Sequence, residues 1–295
     1  MVKIVTNYIK YRKAKSYFDK GSYDKALPIF KAILEENPNR VDAHINTAAA
    51  LLRMDRYNEA VTVLNKGLKL DKNDPVLNEY LFYVHDITEN NAEALKAVDR
   101  LIEIEDNNYI HFLRKAALYG KNNPDMCLKY SYEAVNKFPE IPELYTQLGL
   151  AYSFNNNYEN ALGNYQKALD LGCTSTVTLN NYGYELSRAG RYDEAIAYFD
   201  QCISIEPDFA YPYNNRGLCY LRKGDTVKAI GDINYSLGLN PENSYAYKNR
   251  ALYYIEKKDF EMAFQDLKTA RFLGFETDYG NEVNDLIGKL LKENL

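Results

Sequence analysis

Residues 142–172 read PELYTQLGLAYSFNNNYENALGNYQKALDLG, and the spacing inside this stretch decides the fold. Tyr145, Leu148, Gly149 and Tyr152 recur three and four residues apart, the spacing of one helical face. Asn155-Asn156-Asn157 then breaks the run, and Ala161, Tyr165 and Ala168 start a second helical face. Stepping away from Ala161 in both directions finds Ala195, Ala229 and Ala263 ahead of it, and Ala26, Ala60 and Ala94 behind. These alanines share a period of 34, with one slip: Leu128 takes the tooth after Ala94, and Ala161 follows 33 residues later. A fixed period of this size belongs to stacked supersecondary units, so the chain reads as a solenoid with no single globular core.

Eight repeats follow, starting at Asn7, Val41, Pro75, Tyr109, Pro142, Thr176, Ala210 and Ser244. Place eight holds Ala14, Ala48, Phe82, Ala116, Gly149, Gly183, Gly217 and Ala251. Place twenty-four holds Phe30, Leu64, Val98, Tyr132, Tyr165, Phe199, Ile233 and Leu267. Small residues let two helices approach closely, and the large ones fill the wedge that opens beyond the contact. Lys20-Gly21-Ser22, Ala189-Gly190-Arg191 and Lys223-Gly224-Asp225 break helices within repeats. Pro38, Pro207 and Pro241 separate repeats, since proline ends one helix and suits the first turn of the next.

The pattern small–aromatic–alanine–aromatic–proline resembles the tetratricopeptide repeat, most closely in Tyr145 to Ala168 and in Asn180 to Pro207. The resemblance covers about residues 7–275 and implies an all-α, right-handed α-solenoid of eight antiparallel helix pairs. Phe82 and Leu128 depart from it, Pro124 interrupts a turn, and the next step is short. Repeats three and four are therefore expected to be irregular, with a bend between residues 7–141 and 142–275; compensating repacking is the alternative. Residues 276–295 carry an apolar stripe of Val283, Leu286, Ile287, Leu290 and Leu291, which reads as a C-terminal capping helix. The first helix has no comparable cap and reads as an open edge for self-association.

Composition narrows the function classes. The net charge is −5, with 21 basic and 20 acidic residues before Pro142 against 15 and 21 after it, so no basic surplus points to nucleic acid. Met1 is followed by no apolar export core, and the charged tail helix is unsuited to membrane insertion, so a cytoplasmic chain is expected. Cys127, Cys173, Cys202 and Cys219 have no paired or metal-ligand spacing, which suits reduced thiols. His44, His85 and His111 stand at unlike places, and no phosphate loop or nucleophile motif occurs, so neither enzyme activity nor a cofactor or metal is expected.

The remaining signal lies on the first helix of each repeat, whose places two, five, six, nine and thirteen the resemblance assigns to the inner wall. Place six runs through Asn46, Gln147, Asn181, Asn215 and Asn249; place five adds Asn180, Asn214 and Lys248; places two and nine add Tyr211, Tyr245 and Tyr184; place thirteen adds Arg188 and Arg222. Asparagine costs roughly half a kcal/mol relative to alanine in a helix interior, so its repetition asks for a reason. A row of carboxamides gripping the backbone of an extended peptide is one reason, and it is similar to the asparagine ladder of O-linked N-acetylglucosamine transferase. Solvated asparagines in an asparagine-rich chain are the other. The two-carboxylate clamp of chaperone-binding members of the family is missing: of its places in the first three repeats only Asn46 fits, with Tyr11, Lys15, Val76 and Tyr80 at the rest. A scaffold holding a peptide is therefore expected, with a self-stacking structural subunit or a helical-repeat RNA binder as alternatives.

Overall fold

A computed structural model of the chain describes residues 2–275 and 281–293, and every regular element in them is helical. The first helices of the repeats are α1 (Val2–Asp19), α3 (Val41–Leu52), α5 (Pro75–Ile87), α7 (Tyr109–Tyr119), α9 (Pro142–Phe154), α11 (Thr176–Arg188), α13 (Ala210–Arg222) and α15 (Ser244–Glu256). Their partners are α2 (Tyr23–Glu36), α4 (Tyr57–Leu68), α6 (Asn91–Ile104), α8 (Pro124–Lys137), α10 (Tyr158–Asp170), α12 (Tyr192–Ile205), α14 (Thr226–Leu239) and α16 (Phe260–Phe272). Each first helix packs antiparallel on its partner, and each partner packs on the next first helix within a body. Two compact bodies result, residues 1–137 and 138–295, each a stack of four helix pairs.

The turn inside each repeat has one geometry. Place fifteen takes a positive φ in seven repeats: Gly21, Asp55, Glu89, Asn156, Gly190, Gly224 and Lys258. This left-handed residue ends α-helices by turning their last free carbonyls toward the following amides. Side chains at place seventeen brace it, Tyr57 Oη donating to Asp55 at 2.8 Å and Tyr158 Oη to Asn156 at 2.7 Å.

Repeat four breaks this rule, and that corrects the comb. There Gly120–Asn122 forms a single 3-10 turn, with φ of 40° at Gly120, before Pro124 opens α8. The turn is one residue shorter, so every side chain of α8 stands one position earlier than the sequence register suggested. Cys127, fully buried, takes the small-residue place expected for Leu128, which is only half-buried. Likewise Ser131 is buried where Tyr132 was expected, and Tyr132 is 43% exposed.

The glycines at place eight have a steric cause. A Cβ on Gly149 would lie 2.8 Å from the Tyr165 ring, and one on Gly183 2.8 Å from Phe199. Repeat three reverses the sizes, with Phe82 at place eight and the smaller Val98 at place twenty-four, both buried. The size exchange keeps this pair packed.

Place seven links three helices. Arg216 grips Asp232 of α14 through two bonds of 2.7 and 2.9 Å and reaches Asp200 of α12 at 2.5 Å. Arg250 repeats the arrangement with Asp266 of α16 at 2.7 and 2.8 Å and Asn234 of α14 at 3.0 Å. These arginines face inter-repeat packing, with stems laid along the helices. In the capping helix α17 (Glu282–Glu293), Val283, Ile287 and Leu290 are buried in one cluster with Leu267, Ala270 and Phe275. Leu291, assigned to the same stripe from sequence, is 52% exposed. The rest of the expected cap, residues 276–280 and 294–295, lies outside the described residues.

Candidate functional site

The five consecutive asparagine side chains of α11, α13 and α15 form one run of hydrogen bonds. Asn249 donates to Asn214 at 3.0 Å, Asn214 to Asn215 at 3.4 Å, Asn215 to Asn180 at 3.0 Å and Asn180 to Asn181 at 3.4 Å. First helices of successive repeats touch directly here, so a carboxamide at place six of one reaches place five of the helix before it. All four bonds point the same way along the stack, an arrangement in which each dipole strengthens the next.

This geometry corrects the expected peptide contacts. Asn214 and Asn249 are fully buried, and Asn180, Asn215 and Lys248 are nearly so. The asparagine amides bond to one another, and the Lys248 ammonium pairs with Glu282, so these five side chains are spent on internal contacts. The Asn249 Oδ1 is buried with no hydrogen-bond partner among the described residues. Asn181 is half-buried at the end of the run. In the N-terminal body, Asn46 is half-buried and donates to its own helix at the Asp42 carbonyl, 2.6 Å away.

The tyrosines close on each other. Tyr184 of α11 and Tyr245 of α15 join hydroxyls at 2.8 Å, and the Tyr245 ring lies 5.5 Å from that of Phe275. The Lys248 ammonium sits 4.9 Å from the Tyr245 ring centre and pairs with Glu282 of α17 at 3.1 Å. Burial raises the pKa of both tyrosines and lowers that of Lys248. These groups fill part of the inner wall of repeats six to eight and fasten the cap to it.

Four expected residues stay open or partly open. Arg188 and Arg222 are exposed at one place in consecutive repeats, Tyr211 is 42% exposed, and Gln147 is half-buried. The Arg188 guanidinium stacks 3.7 Å above the Tyr158 ring and stands 3.7 Å from Glu185. Arg222 has no ion-pair partner among the described residues.

Two features escaped the sequence reading. Glu185 is 1% exposed, accepts a hydrogen bond from Ser153, and has an Oε2 with no hydrogen-bond partner among the described residues. Burial raises its pKa. Its position at place ten, between two inner-wall places, gave no warning. In the N-terminal body, Phe18, Leu52, Arg53, Glu79, Tyr80, Phe82, Tyr83 and Arg114 enclose a hollow of about 420 Å³. Of these, Arg53, Glu79, Tyr80, Tyr83 and Arg114 stand at inner places, and none carries asparagine's distinctive signal.

Helix pairs stacked in sequence and joined by one recurring turn geometry define an all-α repeat protein. Family models for the tetratricopeptide repeat match residues 17–79 and 142–171, and one described as TPR repeat matches 183–224. The chain thus carries tetratricopeptide repeats in both of its bodies. It is 26% identical over 172 residues to tetratricopeptide repeat protein 1 of Schizosaccharomyces pombe, covering 53% of this chain and 17% of that protein. A TPR repeat-containing protein of Methanocaldococcus jannaschii is 25% identical over 177 residues, covering 54% and 31%. The chain thus matches less than a third of the length of either relative. Its fold is similar to a chain of the crystallised APC/C hetero-tetramer Cut9–Hcn1, with a TM-score of 0.67 at 19% identity over 95% of this chain and 55% of that one. The C-terminal part of a TPR protein from Cytophaga hutchinsonii gives 0.58 at 18% identity, covering 81% and 98%. No described helix is long and apolar enough to cross a membrane.

Proposed function

We propose that this chain is a non-enzymatic scaffold that holds an extended acidic segment of a partner protein along the inner wall of repeats five to eight. The observation that carries the reading is the pair Arg188 and Arg222, exposed at the same place one repeat apart, with Tyr211 exposed and Gln147 half-buried at other inner places of repeats seven and five. Guanidinium groups at that repeat spacing suit carboxylates spaced along an extended chain, and each offers a planar fork to one of them. The asparagine run serves this surface from beneath, by fixing the distance between the helices that carry the arginines. Fluorescence anisotropy with a labelled peptide of alternating glutamate and alanine tests it. Binding should weaken as salt rises and fall about fivefold for each of Arg188→Ala and Arg222→Ala. Equal affinity for a lysine-and-alanine peptide would remove the acidic segment from the reading.

A second reading, self-association through α1, draws on Tyr8 and Ile9, which are 61% and 60% exposed. Sedimentation over a concentration range tests it, with Ile9→Asp as the variant that should abolish any rise in mass.

A further inference from the structure

We propose that the hollow in the N-terminal body is a second, independent binding site, built for a peptide segment that presents one large apolar side chain next to a carboxylate. Its volume of about 420 Å³ lies within the range of small-ligand pockets, roughly 300–1,000 Å³, and exceeds what one aromatic side chain fills. Phe18, Leu52, Tyr80, Phe82 and Tyr83 supply its apolar wall, from the first helices of repeats one, two and three. Tyr83 is 50% exposed, a large ring held open to solvent although its neighbours at this wall are packed.

The charges at the hollow are arranged unequally. Arg114 is fixed in place: it takes both oxygens of Glu79 at 2.7 and 2.8 Å and lies 4.7 Å from the centre of the Phe82 ring. Arg53 is exposed at the edge with no ion-pair or hydrogen-bond partner for its guanidinium among the described residues. Three charged groups therefore line the hollow, two positive and one negative, and the negative one is already engaged by Arg114. The free charge of the site is the Arg53 cation, in a chain whose own net charge is −5. An occupant complementary to both features places its apolar side chain between Phe18, Tyr80 and Tyr83 and its carboxylate on Arg53. A purely apolar occupant leaves Arg53 without a counter-charge, and a basic one meets it with repulsion.

The site shares no residue with the arginine wall of repeats five to eight, so the two readings fail separately. The test uses the full chain and two short probes, acetyl-Glu-Phe-Glu amide and acetyl-Lys-Phe-Lys amide, titrated while amide resonances are followed by NMR. The acidic probe should shift resonances of residues 49–53 and 79–83, and its affinity should fall about fivefold in Arg53→Gln. Arg53 is an exposed side chain outside the core, so this variant should keep the wild-type spectrum elsewhere. Tyr83→Ser should weaken both probes, because it removes apolar wall and leaves charge intact. Arg188→Ala should leave the shifts at the hollow unchanged. Equal binding of the two probes, no shift with either, or unchanged affinity in Arg53→Gln would each overturn the proposal.

Discussion

Asn249 donates its amide to the Asn214 carbonyl oxygen at 3.0 Å, both side chains fully buried, and the same bond joins Asn215 to Asn180 one repeat earlier. A row of asparagines read from sequence as a peptide grip is therefore an internal brace. Removing a brace differs from removing a grip. Asn249→Ala strands a buried Asn214 oxygen, which costs the lost bond and the desolvation of that oxygen, together roughly 1–3 kcal/mol. Asn181→Ala, at the half-buried end of the run, should cost less. Urea unfolding of the single variants checks the order, and equal stability of Asn249→Ala and the parent chain would contradict the bonded geometry.

Gly183 and Gly163 make a matched pair of tests. At Gly183 a methyl group would meet Phe199 at 2.8 Å, whereas at Gly163 it would meet nothing within 4 Å. Gly183→Ala forces two helices apart and is expected to lower stability by about 1–3 kcal/mol, the range of overpacked cores. Gly163→Ala, in the exposed interior of α10, should raise it by roughly 0.5–1 kcal/mol, because alanine loses less backbone freedom on folding. Thermal melting of the two variants should move in opposite directions.

The contrast between Gly183 and the asparagines shows what the sequence made legible. Place eight is small because place twenty-four is large, a relation between two positions of one repeat, and six of the eight repeats restate it, all but repeats three and four. The helix pairs were readable for that reason. The single register error, Leu128 for Cys127, arose where one turn lost a residue, since a periodic template has no means to say which side of a deletion a position belongs to. The inner wall was harder. Arg188, Arg222 and Tyr211 are exposed at their places, but whether a polar side chain at such a place meets solvent or another helix depends on how closely successive first helices approach. That distance is set by packing across 34 residues, and Asn180, Asn214, Asn215 and Asn249 fell on its buried side. The staples of place seven were legible in principle: Arg216 has an acid sixteen residues away on either side, Asp200 and Asp232, and both bind it.

That staple geometry yields a third test. Asp266 is 4% exposed and takes two bonds from Arg250, whose third donor holds Asn234. Asp266→Ala leaves a largely buried guanidinium with one neutral partner and is expected to cost about 3 kcal/mol, the lower end for breaking a buried pair. Replacing both partners, Arg250→Met with Asp266→Leu, should recover most of that loss, because a buried ion pair exchanged for packed apolar groups is often neutral. A double-mutant cycle by urea unfolding measures the coupling.

Glu185 gives the pH dependence a sign. Its carboxyl is buried, bonded to Ser153 and within 3.7 Å of Arg188, and burial outweighs both in raising its pKa above the ordinary 4.5. The folded chain therefore keeps the proton over a window in which the unfolded chain has released it. The contribution of this group to stability is complete below pH 4.5 and is lost as pH rises through the raised value. Carboxylates such as Glu194 and Asp225, whose cationic or amide partners lower their pKa, have the opposite slope, so the whole-protein profile mixes the two. Glu185→Gln isolates the buried group: relative to this variant, the parent chain should lose stability on going from about pH 4.5 to about pH 7.5, at no more than roughly 1.4 kcal/mol per pH unit. Urea midpoints of both proteins across that range supply the difference. A difference that stays constant with pH would mean that Glu185 titrates as it does in the unfolded chain, and its burial beside Ser153 would then be wrong.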